Sequence, residues 1–427
     1  MIDVQTFRPL FSEISPLFMS GRDTPNVIRM RIRMDAEVEE TALRDAVDLT
    51  MRRYPYFCVK LRKRDGQWGF VPNSRPVAVL SCPANVMLNS AAANEHLLAF
   101  SWHEDWIHLD ISHALTDGTG AMEVVRTLLY YYCSRRYGAV LRAGSIRLAG
   151  DEISPEEWED PALRVTQEPP EDGDGQQPVL NLVRMAGLEK DTAKTVYSFT
   201  VDEKQLMRFN REHDATPGTI VALLLSRAIV SLYPDSQDRT LINLCLNLRK
   251  ALGTPLAHQC LVGDVWLEYK EEMRRHPVSV QATMYRGMVL LQMQPEQALT
   301  VMTYINRNTR QMLAMRSDEE RVRSAKNTSE YLKEWRTATV SYVGRGNLGD
   351  SERYVRDFHI WASAGNENLL VEITSVNGRF TIDFIQNFAS PVYIHAFMHQ
   401  LDEIGIPFER QAPVPLELPG IRLPWME

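Results

Sequence analysis

The feature that most constrains this chain is a change of hydrophobic period that runs through twice. Two-residue alternation gives way to helical spacing, the chain breaks at an acidic, proline- and glycine-rich stretch, and the same succession begins again. Val27–Met34 (VIRMRIRM) alternates apolar and basic residues, which predicts a half-buried strand. Residues 37–53 carry Val38, Leu43, Ala46, Val47 and Met51 at helical spacing, and Pro55 ends the pattern. Residues 57–61 and 68–71 predict a hairpin around Asp65-Gly66. Residues 97–101 and 106–111 predict a second strand pair turning at His103-Glu104-Asp105, and Gly118–Tyr137 predicts a helix. The break, residues 166–178 (TQEPPEDGDGQQP), is almost free of apolar side chains and reads as a linker. Beyond it, strands are predicted at 196–201, 240–248, 337–343, 355–361, 369–375 and 381–388. Helices are predicted at 202–213, 219–233 and 391–404, with a long, mainly helical region at 277–315. At 427 residues the chain is also too long for one ordinary core. The expectation is an α/β protein of two lobes, each a mixed sheet with helices: 1–165, a linker at 166–195, and 196–427.

A formal net charge of -8 argues against nucleic acid as a partner, because phosphate binding needs a basic field, but it leaves room for a local basic pocket. The 5 cysteines, Cys58, Cys82, Cys133, Cys245 and Cys260, are scattered, with no paired spacing. That pattern predicts free thiols in a reducing compartment, and no Cys/His cluster has metal spacing. The N-terminus lacks the basic and apolar regions of a signal peptide, and no apolar run is long enough to span a bilayer. A cytoplasmic monomer is expected.

One segment carries chemistry. In His113-Ala114-Leu115-Thr116-Asp117-Gly118, a predicted strand delivers an imidazole to a turn, and a helix starts at once. An imidazole titrates near neutrality, so it can take the proton of an alcohol or amine attacking a carbonyl. Gly118 and Gly120 let the backbone approach a ligand closely, and the N–H groups of the first helical turn are free to donate. The same residues also compose a plain turn, with Asp117 as helix cap and Gly118 for the bend.

The string HxxxDG between strand and helix resembles the signature of the CoA-dependent acyltransferase superfamily, which includes chloramphenicol acetyltransferase, the plant BAHD enzymes, peptide-synthetase condensation domains and bacterial alcohol acetyltransferases. Other segments support the resemblance. The helix ending in Arg53-Tyr54-Pro55 is similar to the "RYP" helix end near the start of these proteins. Leu246-Asn247-Leu248-Arg249 resembles the "NLR" strand end, Ser341-Tyr342-Val343-Gly344 resembles "SNxG" with Tyr for Asn, and the tail from Asn387 resembles the family ending. The resemblance is strongest to the bacterial alcohol acetyltransferases, since the Asp-Phe-Gly-Trp-Gly and "RHExLRT" motifs of the plant and condensation branches are absent.

The resemblance implies an active-site tunnel between two lobes, with an acyl-CoA donor entering from one face and a small alcohol or amine acceptor from the other. His113 would act as general base with no covalent intermediate and no bound cofactor. Asp117 would hold the turn through an arginine, for which Arg249 is the candidate, with Asn247 beside it. The Gly118 N–H or the Ser341 hydroxyl would stabilise the oxyanion. Two alternatives stay open: an acyl-carrier protein delivering the donor on phosphopantetheine, and a non-catalytic binding member of the fold.

Other segments are read as structural. His103 and His108 are assigned surface or pairing roles. Gly344-Arg-Gly-Asn-Leu-Gly349 matches a dinucleotide fingerprint in spacing but lacks the helix that must follow. The basic run 307–326 is read as a solvated helix face, Ser226 lacks a nucleophile-elbow context, and Tyr130 to Tyr132 are read as packing residues.

Overall fold

The computed structural model describes residues 7–21, 24–81, 85–170, 179–187, 194–363 and 369–426. Residues 171–178 and 188–193 of the predicted linker, and Cys82, lie outside these residues.

Two large sheets organise the molecule. The first has five strands in the order Val355–Ala362, Val27–Met34, Trp106–Ser112, Leu98–His103 and Val79–Ser81. The second has eight. Its main path runs Val262–Glu268, Leu241–Asn247, Ala338–Arg345, Leu369–Val376, Arg379–Gln386, Thr195–Asp202 and Phe408–Arg410, and Val414–Pro415 also pairs with Thr195–Asp202. A small three-stranded sheet contains the predicted hairpin, with Asp65 and Gly66 at φ of 49° and 80° in its turn. Such a turn needs positive φ at both central residues, which explains the Asp-Gly pair. The sheets are mixed, as expected: Ala338–Arg345 runs parallel to both its neighbours, whereas Leu369–Val376 and Arg379–Gln386 are antiparallel.

Each sheet buries one face under helices. In the first, Ile28, Met30 and Ile32 are at most 3% exposed and join Leu43, Val47, Val125 and Leu129 from Glu40–Arg53 and Gly118–Tyr137 in one core. In the second, Pro217–Leu232 is apolar on nearly every face and is enclosed by the sheet and by Val392–Glu403. Among the described residues no single helix is long and apolar enough to cross a membrane. Glu203–Glu212 and Pro217–Leu232 pass such a test only as a pair, and they are bent by 81°.

Several expectations change once the chain is folded. Part of the basic face of Val27–Met34 is covered, while the Arg33 side chain stays 41% exposed. Arg29 is 4% exposed and bidentate to Asp110 at 2.6 and 2.9 Å, while the Arg31 guanidinium lies 4.5 Å from the Trp106 ring centre and 3.8 Å from that of Trp361. Trp361 comes from Val355–Ala362, which lies in the range expected to form the second lobe but adds an edge strand to the first sheet, antiparallel to Val27–Met34. The C-terminal segment returns as well: Arg422 N donates to Leu88 O at 2.9 Å, and Trp425 stacks on Phe18 with ring centres 4.0 Å apart. Part of the predicted linker is core, since Leu180 and Leu182 are at most 1% exposed within the second lobe.

The region predicted as one long helical stretch is two helices, Val278–Gln292 and Pro295–Ala314, broken where proline starts the second. A third helix, Asp318–Trp335, follows. The basic run 307–326 therefore spans a helix break rather than one solvated face. Arg321, 8% exposed, folds back to donate to the terminal carbonyls of Met312 and Met315. Val262–Glu268 is an unpredicted strand on the edge of the second sheet.

Candidate active site

Trp106–Ser112 pairs on both sides, with Val27–Met34 and Leu98–His103, so the residue that follows it is rigidly placed. His113 N donates to Asn26 O at 2.9 Å, and Leu115 N donates to Ser112 O at 2.9 Å, turning the chain sharply. Asp117 caps the next helix, accepting from Gly120 N at 3.0 Å. So the sequence reading of a helix cap is correct. It is also incomplete, because the same carboxylate does more.

Asp117 is fully buried and accepts four hydrogen bonds. Besides Gly120 N, they come from Arg249 Nη1 to Oδ2 at 2.8 Å, Arg249 Nη2 to Oδ1 at 3.0 Å, and Leu261 N to Oδ2 at 3.0 Å. Arg249, 3% exposed, completes its own set with Nε to Ala257 O at 2.6 Å and Nη2 to Gln259 O at 2.7 Å. A buried charge is tolerable only when paired and hydrogen-bonded, and this pair is both. Asn247 buttresses it: its Oδ1 accepts from Arg249 N at 3.0 Å and from Nη1 at 3.2 Å. The expected Asp117–Arg249 pairing is present and ties the His113 turn to the end of a strand in the other sheet.

The glycines are set by close approach. A Cβ on Gly118 would lie 2.5 Å from Val343 Cγ1, and one on Gly120 would lie 2.0 Å from Thr116 Oγ1 and 2.9 Å from His258 O. Thr116 Oγ1 in turn donates to His258 O at 2.6 Å, a second tie across the lobes.

His113, Gly118, Asn247 and Ser341 line one cavity of about 310 Å³ between the two sheets, together with Thr119, Cys245, Cys260 and Tyr342. Asp117 and Arg249 do not line it; they sit behind its wall. A second cavity of about 310 Å³ opens on the other side of the turn, lined by Leu115, Tyr56, Phe57, Trp158, His258 and Gln259. Its wall is held by Arg53, from the Arg-Tyr-Pro segment, whose guanidinium is bidentate to buried Glu157 with both contacts at 2.8 Å.

The electrostatics of His113 depend on its neighbours. Burial pulls its pKa down. The Cys260 thiol beside it, through charge and a hydrogen bond, acts the other way, aided by His113's own carbonyl and by Asp117, and the balance is pushed up to about 9. His258, buried among Arg147, Arg249 and Arg53, is held well below the usual histidine range and stays neutral. Tyr342, where the resemblance anticipated Asn, has its hydroxyl pushed up to about 12, chiefly by burial, and remains a neutral phenol.

Cys260, Cys245, His258 and Tyr342 were not singled out as site residues. Cys260 and His258 lie in an irregular loop with no period to mark them. Cys245 does alternate with Leu244 and Leu246 along its strand, and that signal alone could have placed it on one wall. His103 is exposed and pairs with Glu104 at 3.5 Å, and His108 Nδ1 meets Ser101 Oγ at 3.4 Å, in keeping with surface and pairing roles; both also line a cavity with Arg29, Arg31, Trp106 and Trp361. Burial, with Arg29 and Arg31 nearby, holds His108 down at about 3. The readings of Ser226 and of the tyrosines agree with their contacts. Ser226 Oγ is engaged with Ala222 O and the Tyr285 hydroxyl, and Tyr132 is fully buried. After Gly344-Arg-Gly-Asn-Leu-Gly349 comes only a short 3-10 turn, Gly349–Tyr354, as the rejection of a dinucleotide site required.

No protein-family model matches the chain, and no curated protein matches its sequence. Solved structures do match. Polyketide synthase associated protein 5 from Mycobacterium tuberculosis is 14% identical with a TM-score of 0.63, and the match covers 93% of this chain and 98% of that one. F. sporotrichioides TRI101, solved in complex with coenzyme A and T-2, is 10% identical with a TM-score of 0.58 over 95% and 100% of the two chains. The condensation domain of the Monacolin K polyketide synthase MokA is 12% identical with a TM-score of 0.60 over 93% and 97%. The similarity extends over nearly the whole chain, and the protein shares the two-lobed α/β fold of these structures.

Proposed function

We propose that this protein transfers an acyl group from a CoA thioester to a small alcohol or amine, with His113 as general base on the acceptor and direct attack on the thioester carbonyl. The observation that carries the reading is the placement of His113: its imidazole lines a cavity between the lobes, on a turn locked by a buried ion pair whose charges face away from that cavity. That arrangement suits proton abstraction rather than a relay, because Asp117 spends its oxygens on Arg249, Gly120 N and Leu261 N. The second cavity, across the same turn, supports separate approaches for donor and acceptor.

As hydroxyl or amine attacks, His113 takes its proton. Negative charge collects on the carbonyl oxygen, where the Gly118 N–H or the Ser341 hydroxyl would stabilise it. The intermediate collapses, the C–S bond breaks, and the proton passes from His113 to the departing thiolate. An alcohol O-acyltransferase working in the cytoplasm as a monomer is the favoured form.

The CoA-bound TRI101 structures favour free CoA as the donor carrier. The condensation-domain neighbours favour a second reading, in which phosphopantetheine on an acyl-carrier protein delivers the thioester. The test is acceptor-dependent thiol release from acetyl-CoA, run beside the same assay with an acyl-carrier protein. His113→Ala should retain the fold and lose turnover by a factor of about 10² to 10⁴. Wild-type rates in that variant would remove His113 as the base. Absence of turnover with both donors and a broad acceptor panel would favour a binding role for the fold.

A further inference from the structure

We propose that Cys260 is a second nucleophile of this site: a thiol whose proton His113 removes, and which takes the acyl group from the donor when no acceptor is bound. The inference rests on the thioester-donor reading above, and the test separates the two.

The placement of Cys260 is as constrained as that of His113. The carbonyl of the preceding Gln259 accepts from Arg249 Nη2 at 2.7 Å, and the N–H of the following Leu261 donates to Asp117 Oδ2 at 3.0 Å. Leu261 is further held by Leu248, whose N–H donates to its carbonyl at 2.9 Å. The chain on both sides of Cys260 is therefore tied to the same ion pair that fixes the His113 turn. One lock brings two distant segments together and holds the thiol against the imidazole. Both side chains line the same cavity, and Cys260 is the neighbour that most raises the proton affinity of His113. A thiol beside a base, both fixed from behind by one buried ion pair, is the arrangement of an activated nucleophile.

Two of the other described thiols contrast with it: Cys58 and Cys133 are pushed up to about 12 by burial, and neither lines the cavity. Cys245 does line it, but Cys260 is the thiol that acts on His113. Cys260 alone combines cavity access with the base. Its sulfur occupies the hydrogen-bonding position at His113 that an acceptor oxygen or nitrogen would take during transfer. With no acceptor present, Cys260 is the nucleophile that meets the thioester carbonyl.

The step balances without a further reactant. The thiol proton moves to His113, the Cys260 sulfur bonds to the carbonyl carbon, and the carbon–sulfur bond to CoA breaks. His113 then returns the proton to the CoA thiolate. The products are S-acyl-Cys260 and free CoA, one thioester exchanged for another. A hydroxyl acceptor reverses the logic: its proton goes to His113, its oxygen takes the acyl carbon, and the proton returns to the Cys260 sulfur.

The test uses the intact protein with acetyl-CoA and no acceptor, followed by intact mass and peptide mapping. The expected result is one acetyl group on Cys260, none on Cys58, Cys133 or Cys245, and its release by hydroxylamine; acetyl on Cys245 in place of Cys260 overturns the proposal. In His113→Ala, checked for folding by circular dichroism, acetylation should slow at least tenfold. A donor-independent arm uses iodoacetamide. Cys260 should alkylate ahead of the other thiols, and severalfold more slowly in His113→Ala. Alkylation of Cys260 no faster than that of Cys58, or at the same rate in the His113 variant, overturns the proposal. So does turnover of acetyl-CoA by a preparation in which Cys260 never acquires acetyl. Fast His113-dependent alkylation with neither turnover nor acetylation supports the activated thiol and rejects acetyl-CoA as the donor instead.

Discussion

Cutting the Asp117–Arg249 lock should cost both stability and catalysis, and the two costs can be separated. Consider Asp117→Asn, which preserves volume. The replacement can still accept from Gly120 N through its carbonyl oxygen, but its amide then faces the Arg249 guanidinium and the Leu261 N–H, donors against donors. Arg249 keeps its bonds to Ala257 O and Gln259 O yet remains a buried cation without a counter-charge. Removing one member of a buried pair costs about 3–5 kcal/mol. Arg249→Met strands the carboxylate instead and should cost a similar amount. The double variant leaves no unpaired charge, so its cost should fall short of the sum of the singles by about 2–3 kcal/mol. Urea unfolding followed by far-ultraviolet circular dichroism gives these values. Turnover should fall by about 10² in each single variant, because a turn misplaced by an ångström loses its geometry. The pH dependence of whatever turnover remains should barely change, since Asp117 is the weakest of the groups raising His113. Additive single costs would refute the lock. A stable Asp117→Asn with a displaced pH profile would make Asp117 part of the proton chemistry instead.

Three further outcomes follow from the same geometry. His113 acts as a base only when deprotonated, and its pKa lies at about 9, so kcat/KM should climb as pH rises through about 9. In Cys260→Ser, with the largest raising influence gone, the limb should move down from about 9. The protonated ring is also the form the fold favours, so the stability it contributes should be complete below about 6.5 and be lost as pH rises from there through about 9. Gly118→Ala drives a methyl to 2.5 Å from Val343 Cγ1 and should cost about 1–3 kcal/mol by thermal or urea unfolding, with Val343→Ala in the same chain recovering most of it. Ser341→Ala should unfold at the same denaturant concentration as wild type while kcat drops about 10²–10³-fold. An unchanged kcat would leave the Gly118 N–H as the oxyanion donor.

Much of the local structure was legible because it rests on local causes. Gly118–Tyr137 begins and ends where its cap and period place it, and Asp65-Gly66 turns the hairpin its φ angles demand. Val262–Glu268 escaped notice because its buried positions, Val265 and Leu267, are too few to stand out from the loop before it. The walls of the cavity that His103 and His108 line were not legible, because no period in the chain reveals that a strand from the far half, carrying Trp361, joins them.

By itself, then, the amino-acid order determined the succession of strands and helices and the strand-to-helix junction that carries His113; the partnership of Asp117 with an arginine came only through the family resemblance of that short motif. What only the tertiary structure decided is which distant groups converge on that junction. Arg249 reaches Asp117 because the end of a strand in the second sheet meets a turn in the first. Cys260 reaches His113 because the peptide groups on either side of it bond to that same pair. Period and propensity act over a few residues, whereas a buried charge is satisfied by whatever the packing of two sheets brings within about 3 Å. That is why His113 could be found in the sequence, and why the thiol that sets its proton affinity could not.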